Sequence, residues 1–191
     1  MKAIQRQKAN GQDFVKGTVA GLIGGLVGSW TMNQFQAAWT RAAEGFEKPH
    51  GAQSMQPSEG SQAAGSSAQQ SADQDDATVK AAKAVSEGVF GHELKESEKK
   101  PAGAVVHYAF GSATGGLYGA AAEIAPHVTT GFGLPFGAAF WMVADEGVVP
   151  LLGLSKGPTE YPVSTHAYAL ASHLIYGLTT EMTRRAVRNI L

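Results

Sequence analysis

The sequence predicts an all-α protein, a bundle of four transmembrane helices, from three observations. Four stretches of about twenty residues carry no Lys, Arg, Asp or Glu, which is the length that a helix needs to cross a bilayer. Glycines recur within these stretches at helical spacing, and basic residues follow the last one. The stretches are Gly17 to Thr40, Ala102 to Ala122, Ile124 to Ala144 and Tyr161 to Thr180.

Charged and apolar residues are segregated along the chain. Mean hydropathy is slightly below zero, which by itself indicates a soluble protein. That average hides the block from Arg41 to Lys100, which holds ten acids and seven bases. The net charge is −1 and no basic tract indicates nucleic-acid binding. Cysteine is absent, which excludes disulfides and thiolate metal sites.

Composition divides the chain into four parts. Residues 1–48 are predicted as an N-terminal tail and the first transmembrane helix. Residues 49–76 are rich in Ser and Gln and poor in apolar side chains, which predicts a disordered loop. Residues 77–100 contain a short amphipathic helix and a linker, with the helix at Ala77 to Phe90. Residues 101–191 are predicted as a three-helix transmembrane region.

Two sets of glycines are predicted to be helix-packing faces. Small residues at steps of three and four let helix backbones approach closely in a membrane. The sequence leaves open whether these faces pack within one chain or between two copies. The sets are Gly17, Gly21, Gly24 and Gly28 on the first helix, and Gly111, Gly115 and Gly119 on the second.

A polar stripe on the first helix has two interpretations. Ser29, Asn33, Gln36 and Thr40 follow helical spacing. They would either bond across to a neighbouring helix or, for Gln36 and Thr40, lie among the lipid headgroups.

Four ionisable residues form the candidate intramembrane polar site: His107, Asp145, His173 and Glu181. Such groups are costly at membrane depth unless they are paired or hydrated. One interpretation is a path for protons or small ions, because histidine titrates near neutral pH. The other is structural, with Asp145 and His173 forming a buried pair that locks the helices together.

Enzyme motifs are missing, so we expect no enzymatic activity and assign no catalytic residues. The sequence has no His-Glu-x-x-His pair, P-loop or Gly-x-Ser-x-Gly elbow. The His and carboxylate spacings match no metal signature, so we expect no metal and no cofactor.

The distribution of basic residues predicts the topology. Lys2, Arg6, Lys8 and Lys16 precede the first stretch, and Arg184, Arg185 and Arg188 follow the last. The positive-inside rule then places both termini in the cytoplasm. The expected partner is the lipid bilayer, with a homo-oligomer or a membrane-protein partner left open.

Three segments of the C-terminal half carry a family resemblance. They are Ala121 to Pro126, Pro150 to Leu154, and Ser172 to Tyr176 followed by Glu181 to Asn189. Over roughly Val105 to Leu191 the chain resembles the YagU-like family of bacterial inner-membrane proteins, a domain of unknown function. The resemblance implies a multi-span inner-membrane protein, no established reaction, and at most a loose association with acid tolerance.

These observations predict a structural or stress-related component of the bacterial inner membrane. The first alternative is a protein that conducts or transports protons or small ions through its intramembrane His and carboxylate groups. The second alternative is a soluble, glycine-rich helical bundle.

Overall fold

The computed structural model describes residues 11–42 and 75–191, which form helices joined by short connections. No strand occurs in these two ranges, so the all-α prediction is confirmed. The predicted tail and nearly all of the predicted disordered loop lie outside the described residues. The helices are α1 (Gly11–Ala42), α2 (Ala77–Val85), α3 (Glu96–Ile124), α4 (Leu134–Val143), α5 (Val149–Leu151) and α6 (Val163–Arg188).

Shorter helical turns complete these elements. Two π-helical turns occur in the described ranges: Ser86–Phe90 extends α2, and Ala144–Val148 joins α4 to α5. Two 3-10 turns, Pro126–Thr129 and Pro158–Glu160, precede α4 and α6. Helix α1 packs along both α3 and α6, α4 packs against α6, and α2 packs against α3. The core therefore lies between α1, α3 and α6.

Glycines bring α1 and α3 into backbone contact. A Cβ at Gly21 would overlap the Gly115 carbonyl oxygen and lie 2.9 Å from the Gly119 Cα, and a Cβ at Gly25 would overlap the Gly111 carbonyl oxygen. Gly17 likewise faces the backbone of Gly119. Because only hydrogen fits between the two backbones, these glycines pack α1 on α3 within one chain.

Two of the predicted α1 glycines face a different helix. A Cβ at Gly24 would lie 2.6 Å from the Thr180 carbonyl oxygen, and one at Gly28 would lie 2.9 Å from the Tyr176 carbonyl oxygen. The hydroxyl of Tyr176 crosses the bundle and donates to the Gly111 carbonyl oxygen at 2.7 Å. The predicted single glycine face is therefore divided between α3 and α6.

The polar stripe on α1 points into the bundle. Ser29 and Gln36 are buried, and the Asn33 amide donates to the Tyr108 hydroxyl on α3 at 3.1 Å. Thr40 donates to the Gln36 carbonyl oxygen one turn earlier. For Asn33, the first interpretation is the one observed, because its side chain forms a hydrogen bond across to a neighbouring helix.

One predicted helix boundary is wrong. Helix α3 begins at Glu96, not after Pro101, because the Glu98 carboxylate accepts the Lys95 N–H at 2.8 Å and starts the helix earlier. A turn separates the second and third long helices within the stretch Ile124 to Ala144, because α3 ends at Ile124 and α4 begins at Leu134. Gly133, at φ +82°, turns the chain immediately before α4.

The four membrane-spanning helices expected from the sequence are not found among residues 11–42 and 75–191. No helix there combines the length with the sustained apolar character that crossing a membrane requires.

The short helix α2 is anchored at its N-terminal end. Val79 packs over Gly103 of α3, and the Lys99 amine lies 3.3 Å from the Asp75 carboxylate. A hydrogen bond to Glu96 raises the pKa of Lys99, which keeps this amine charged although it is buried. The opposite end is exposed at Val85, Val89 and Phe90, so only the N-terminal part of the predicted amphipathic helix packs on the bundle.

We expect Asp76→Ala to loosen α2 by about 1 kcal/mol, because it removes the N-cap. The Asp76 carboxylate accepts the Val79 N–H at 2.9 Å and the Thr78 hydroxyl at 2.7 Å. Amide hydrogen exchange across α2 should become faster in this variant. In Asp76→Asn, which keeps an oxygen that can accept these hydrogen bonds, the amide exchange rates across α2 should be close to those of the wild type. Equal exchange in all three proteins would show that the cap contributes nothing.

Candidate polar site inside the bundle

A histidine and a carboxylate meet in the interior between α6 and the π-helical turn after α4. His173 is fully buried, and its Nδ1 lies 3.8 Å from Oδ2 of Asp145. That distance is too long for a hydrogen bond. The Nδ1–H instead donates to the Ala169 carbonyl oxygen at 2.9 Å, one turn earlier on α6. The predicted pair therefore exists as neighbouring groups without a direct hydrogen bond.

This arrangement leaves polar atoms of the pair without a hydrogen-bond partner. The contact with the Ala169 carbonyl oxygen requires a proton on Nδ1 of His173. Within the described part of the chain, neither Nε2 of this ring nor Oδ1 of Asp145 is hydrogen-bonded, and the same holds for the Trp141 indole N–H. A buried polar atom without a partner costs about 1–3 kcal/mol. The site can therefore form hydrogen bonds with a small molecule that both donates and accepts them, such as water.

His107 approaches the same region from α3. It is buried, packs edge-on against Tyr108 at 5.3 Å between ring centroids, and interacts electrostatically with His173. Phe140 of α4 contacts the His173 ring edge-on at 5.3 Å. Three of the four predicted site residues, His107, Asp145 and His173, are thus gathered in one part of the interior.

Glu181, the fourth predicted residue, belongs to a separate cluster with arginines. Its side chain has no exposed surface, and it accepts hydrogen bonds from Arg184 at 2.6 and 2.9 Å. Arg185 donates to the same carboxylate from one turn further along α6. These contacts fix Glu181 as the centre of a local ion-pair network.

A second ion-pair group joins three helices next to this cluster. Arg188 of α6 donates to Glu123 of α3 and to Asp13 of α1, each at 2.8 Å. Lys16 donates to the carbonyl oxygen of Leu191 at 2.6 Å. Of the basic residues at the end of α6, Arg188 is therefore paired with acids from two other helices, whereas Arg184 and Arg185 are paired with Glu181 of α6 itself.

Sequence reasoning missed a second histidine–carboxylate pair. Nδ1 of His166 lies 2.6 Å from Oε1 of Glu146, and its Nε2 lies 3.0 Å from the Pro158 carbonyl oxygen. The side chains of adjacent residues in an α-helix point about 100° apart, so Asp145 and Glu146 would not be expected to lie next to the same neighbouring helix. Here both lie next to α6. The π-helical turn at Ala144–Val148 changes this geometry. The seven-residue spacing of His166 and His173 was the available signal.

No group of three or more His, Asp or Glu side chains in the two described ranges is arranged to hold a metal ion. The interior site contains one carboxylate next to one histidine, with the second pair closer to the surface. Histidine and carboxylate side chains can form hydrogen bonds and exchange protons.

Comparison with known proteins matches the chain to a family without an assigned function. The sequence profile of the family described as "Protein of unknown function (DUF1440)" matches residues 84–182. No significant match was found among curated proteins or solved structures. The matched region covers more than half of the chain, including α3, α4 and most of α6. The chain therefore belongs to the DUF1440 family.

Proposed function

We propose that this protein is a structural component of a bacterial inner membrane, embedded as a helical bundle with both termini in the cytoplasm. One observation carries the proposal: large apolar side chains are exposed on the outer surface of the bundle while charged and polar side chains are buried inside it. Ser172, His173 and Glu181 share the interior with apolar side chains such as Met32 and Tyr176.

This arrangement is visible within single helices. Leu22, Leu26 and Trp30 form an exposed stripe on α1, whereas Ser29 and Gln36 on the same helix are buried. Such a continuous exposed apolar surface is unusual on a soluble protein and indicates a contact surface. A helix whose polar face is covered by its neighbours would present only its apolar face to lipid.

The other helices repeat the pattern. Leu117 of α3 is 73 % exposed and Val143 of α4 is 62 % exposed, whereas His173, Thr180 and Glu181 have no exposed surface. Polar groups that face inward are the arrangement expected where the surroundings cannot hydrogen-bond. The resemblance to the YagU-like inner-membrane proteins points in the same direction.

The packing also restricts how a partner would bind. The predicted glycine faces are already occupied within one chain, because the α1 glycines contact α3 and α6. A second copy or another membrane protein would have to dock on the apolar outer surface instead.

We expect Leu117→Lys to disfavour membrane insertion by about 2.5–3.5 kcal/mol, the cost of a lysine at the centre of a membrane helix. The readout is the fraction of full-length protein that resists extraction from membranes at alkaline pH. Ser97→Lys is the matched control, because Ser97 is exposed in the first turn of the same helix. If the two variants behave alike, Leu117 does not face lipid.

Reporter fusions after Gly65 and after Leu191 test the topology. The proposal predicts that the first reporter is outside the cytoplasm and the second inside, which requires the chain to cross the membrane between them. Reporters in the same compartment would contradict the topology. Recovery of the native protein in the soluble fraction without detergent would favour the soluble bundle.

The interior pair favours a second candidate function, the passage of protons or small ions. Its support is the buried Asp145–His173 site, where Nε2 and Oδ1 lack partners among the described residues. Ionisable side chains in the interior of membrane proteins often mark the paths of protons and ions.

Flux measurements in liposomes separate this candidate from the structural one. A conducting path predicts that His173→Ala folds and abolishes a pH-dependent flux, whereas His127→Ala, at an exposed histidine, leaves it unchanged. A purely structural site predicts no flux in the wild type above that of empty vesicles, and a loss of stability in His173→Ala.

A further inference from the structure

Both ring nitrogens of His166 face oxygen acceptors. Nε2 lies 3.0 Å from the Pro158 carbonyl oxygen, which can only accept a hydrogen bond, so Nε2 must carry a proton. Nδ1 lies 2.6 Å from Oε1 of Glu146. A neutral imidazole has a single N–H, and in His166 the Pro158 contact already uses it.

A carboxylate and a bare nitrogen lone pair would repel each other at this distance. The contact between Nδ1 and Oε1 is therefore a hydrogen bond only if it contains a further proton, carried by either atom. We infer that the Glu146–His166 pair is a proton-binding site, which holds one proton between Nδ1 and Oε1. The inference concerns the ligand of this pair and is independent of the membrane proposal.

In the part of the chain that the structure describes, a proton is the cation left to neutralise this pair. In the described ranges, no Lys or Arg side chain forms an ion pair with Glu146. The nearby Glu160 carboxylate is bonded to the Gly157 N–H at 2.9 Å, and the Tyr161 hydroxyl accepts the Lys156 backbone N–H. On the inner side, the nearest titratable groups are Asp145 and its neighbour His173.

The site is accessible enough to exchange its proton. The side chains of His166 and Glu146 are 24 % and 19 % exposed, whereas that of His173 is 1 % exposed. The rings of Trp141 and Tyr161 flank His166, each at 6.5 Å between ring centroids. The pair therefore lies between solvent and the interior Asp145–His173 site.

Loss of the proton must break one of the two contacts. If the remaining N–H stays on Nε2, the bond to Glu146 is lost; if it moves to Nδ1, the bond to Pro158 is lost. The proton therefore couples the π-helical turn Ala144–Val148 to the connection that carries Pro158.

Nuclear magnetic resonance of the full-length protein, with ¹⁵N-labelled His and ¹³C-labelled Glu carboxyl groups, tests the inference. At neutral pH we expect either two protonated ring nitrogens on His166 or a protonated Glu146 carboxyl group. The His166 signals are assigned by their loss in His166→Gln. A neutral His166 next to an ionised Glu146 would overturn the inference, and the wild-type spectrum alone decides this.

Glu146→Gln sharpens the test, because its amide can donate to Nδ1 and so replaces the proton. We expect His166 in this variant to be neutral with its single proton on Nε2. Glu93→Gln, at an exposed carboxylate, is the control and should leave the His166 signals as they are in the wild type. An imidazolium at His166 that persists in Glu146→Gln would show that Glu146 does not hold the proton.

Discussion

Glu181→Ala is expected to lower the free energy of unfolding by about 3–5 kcal/mol, the cost of removing one partner from a buried ion pair. Glu181 has no exposed surface and accepts two hydrogen bonds from Arg184, which is itself buried. Without the carboxylate, the Arg184 guanidinium would keep its charge in the interior and lose the group to which both of these hydrogen bonds are made.

Denaturant titration of the purified protein in a fixed detergent or lipid mixture measures this effect. Glu87→Ala is the matched control, because Glu87 is exposed in the turn after α2. Its unfolding curve should overlay that of the wild type. A Glu181→Ala variant as stable as Glu87→Ala would show that the arginine cluster does not hold the bundle together.

Gly21→Leu is expected to disrupt the packing of α1 on α3 and to prevent a native fold. A leucine side chain has no space at this position, where a Cβ alone would overlap the Gly115 carbonyl oxygen. Even Gly21→Ala should destabilise the protein, although alanine favours a helix over glycine by about 1 kcal/mol.

The melting temperature of the alanine variants measures this contact. Gly88→Ala is the control, because nothing lies within 4 Å of a Cβ at that glycine and its φ is not positive. Unchanged melting of Gly21→Ala would contradict the close α1–α3 contact. A change in oligomeric state with unchanged monomer stability would instead place Gly21 between two copies.

The helical character of this chain was predictable because it depends on local patterns. Uncharged stretches and glycines at steps of three and four indicate close-packed helices wherever they occur. The sequence could not show that Gly21 faces α3 while Gly24 faces α6, because the division depends on where the neighbouring helices lie.

The candidate site was predictable in part. The contacts of Glu181 with Arg184 and Arg185 follow the local i,i+3 and i,i+4 spacing. The pairing of Glu146 with His166 was not predictable, because it depends on the π-helical turn and on the path of the chain around Pro158. Local composition gives no signal for such a turn.

The central claim, that the exposed apolar surface faces lipid, is tested most directly by spin labels on α3. The sequence contains no cysteine, so Leu117→Cys and Ser97→Cys each give a single labelled site. In lipid vesicles, the label at position 117 should collide more often with dissolved oxygen than with a water-soluble nickel chelate, and the label at position 97 should show the reverse. A label at position 117 that is more accessible to the nickel chelate would contradict the claim.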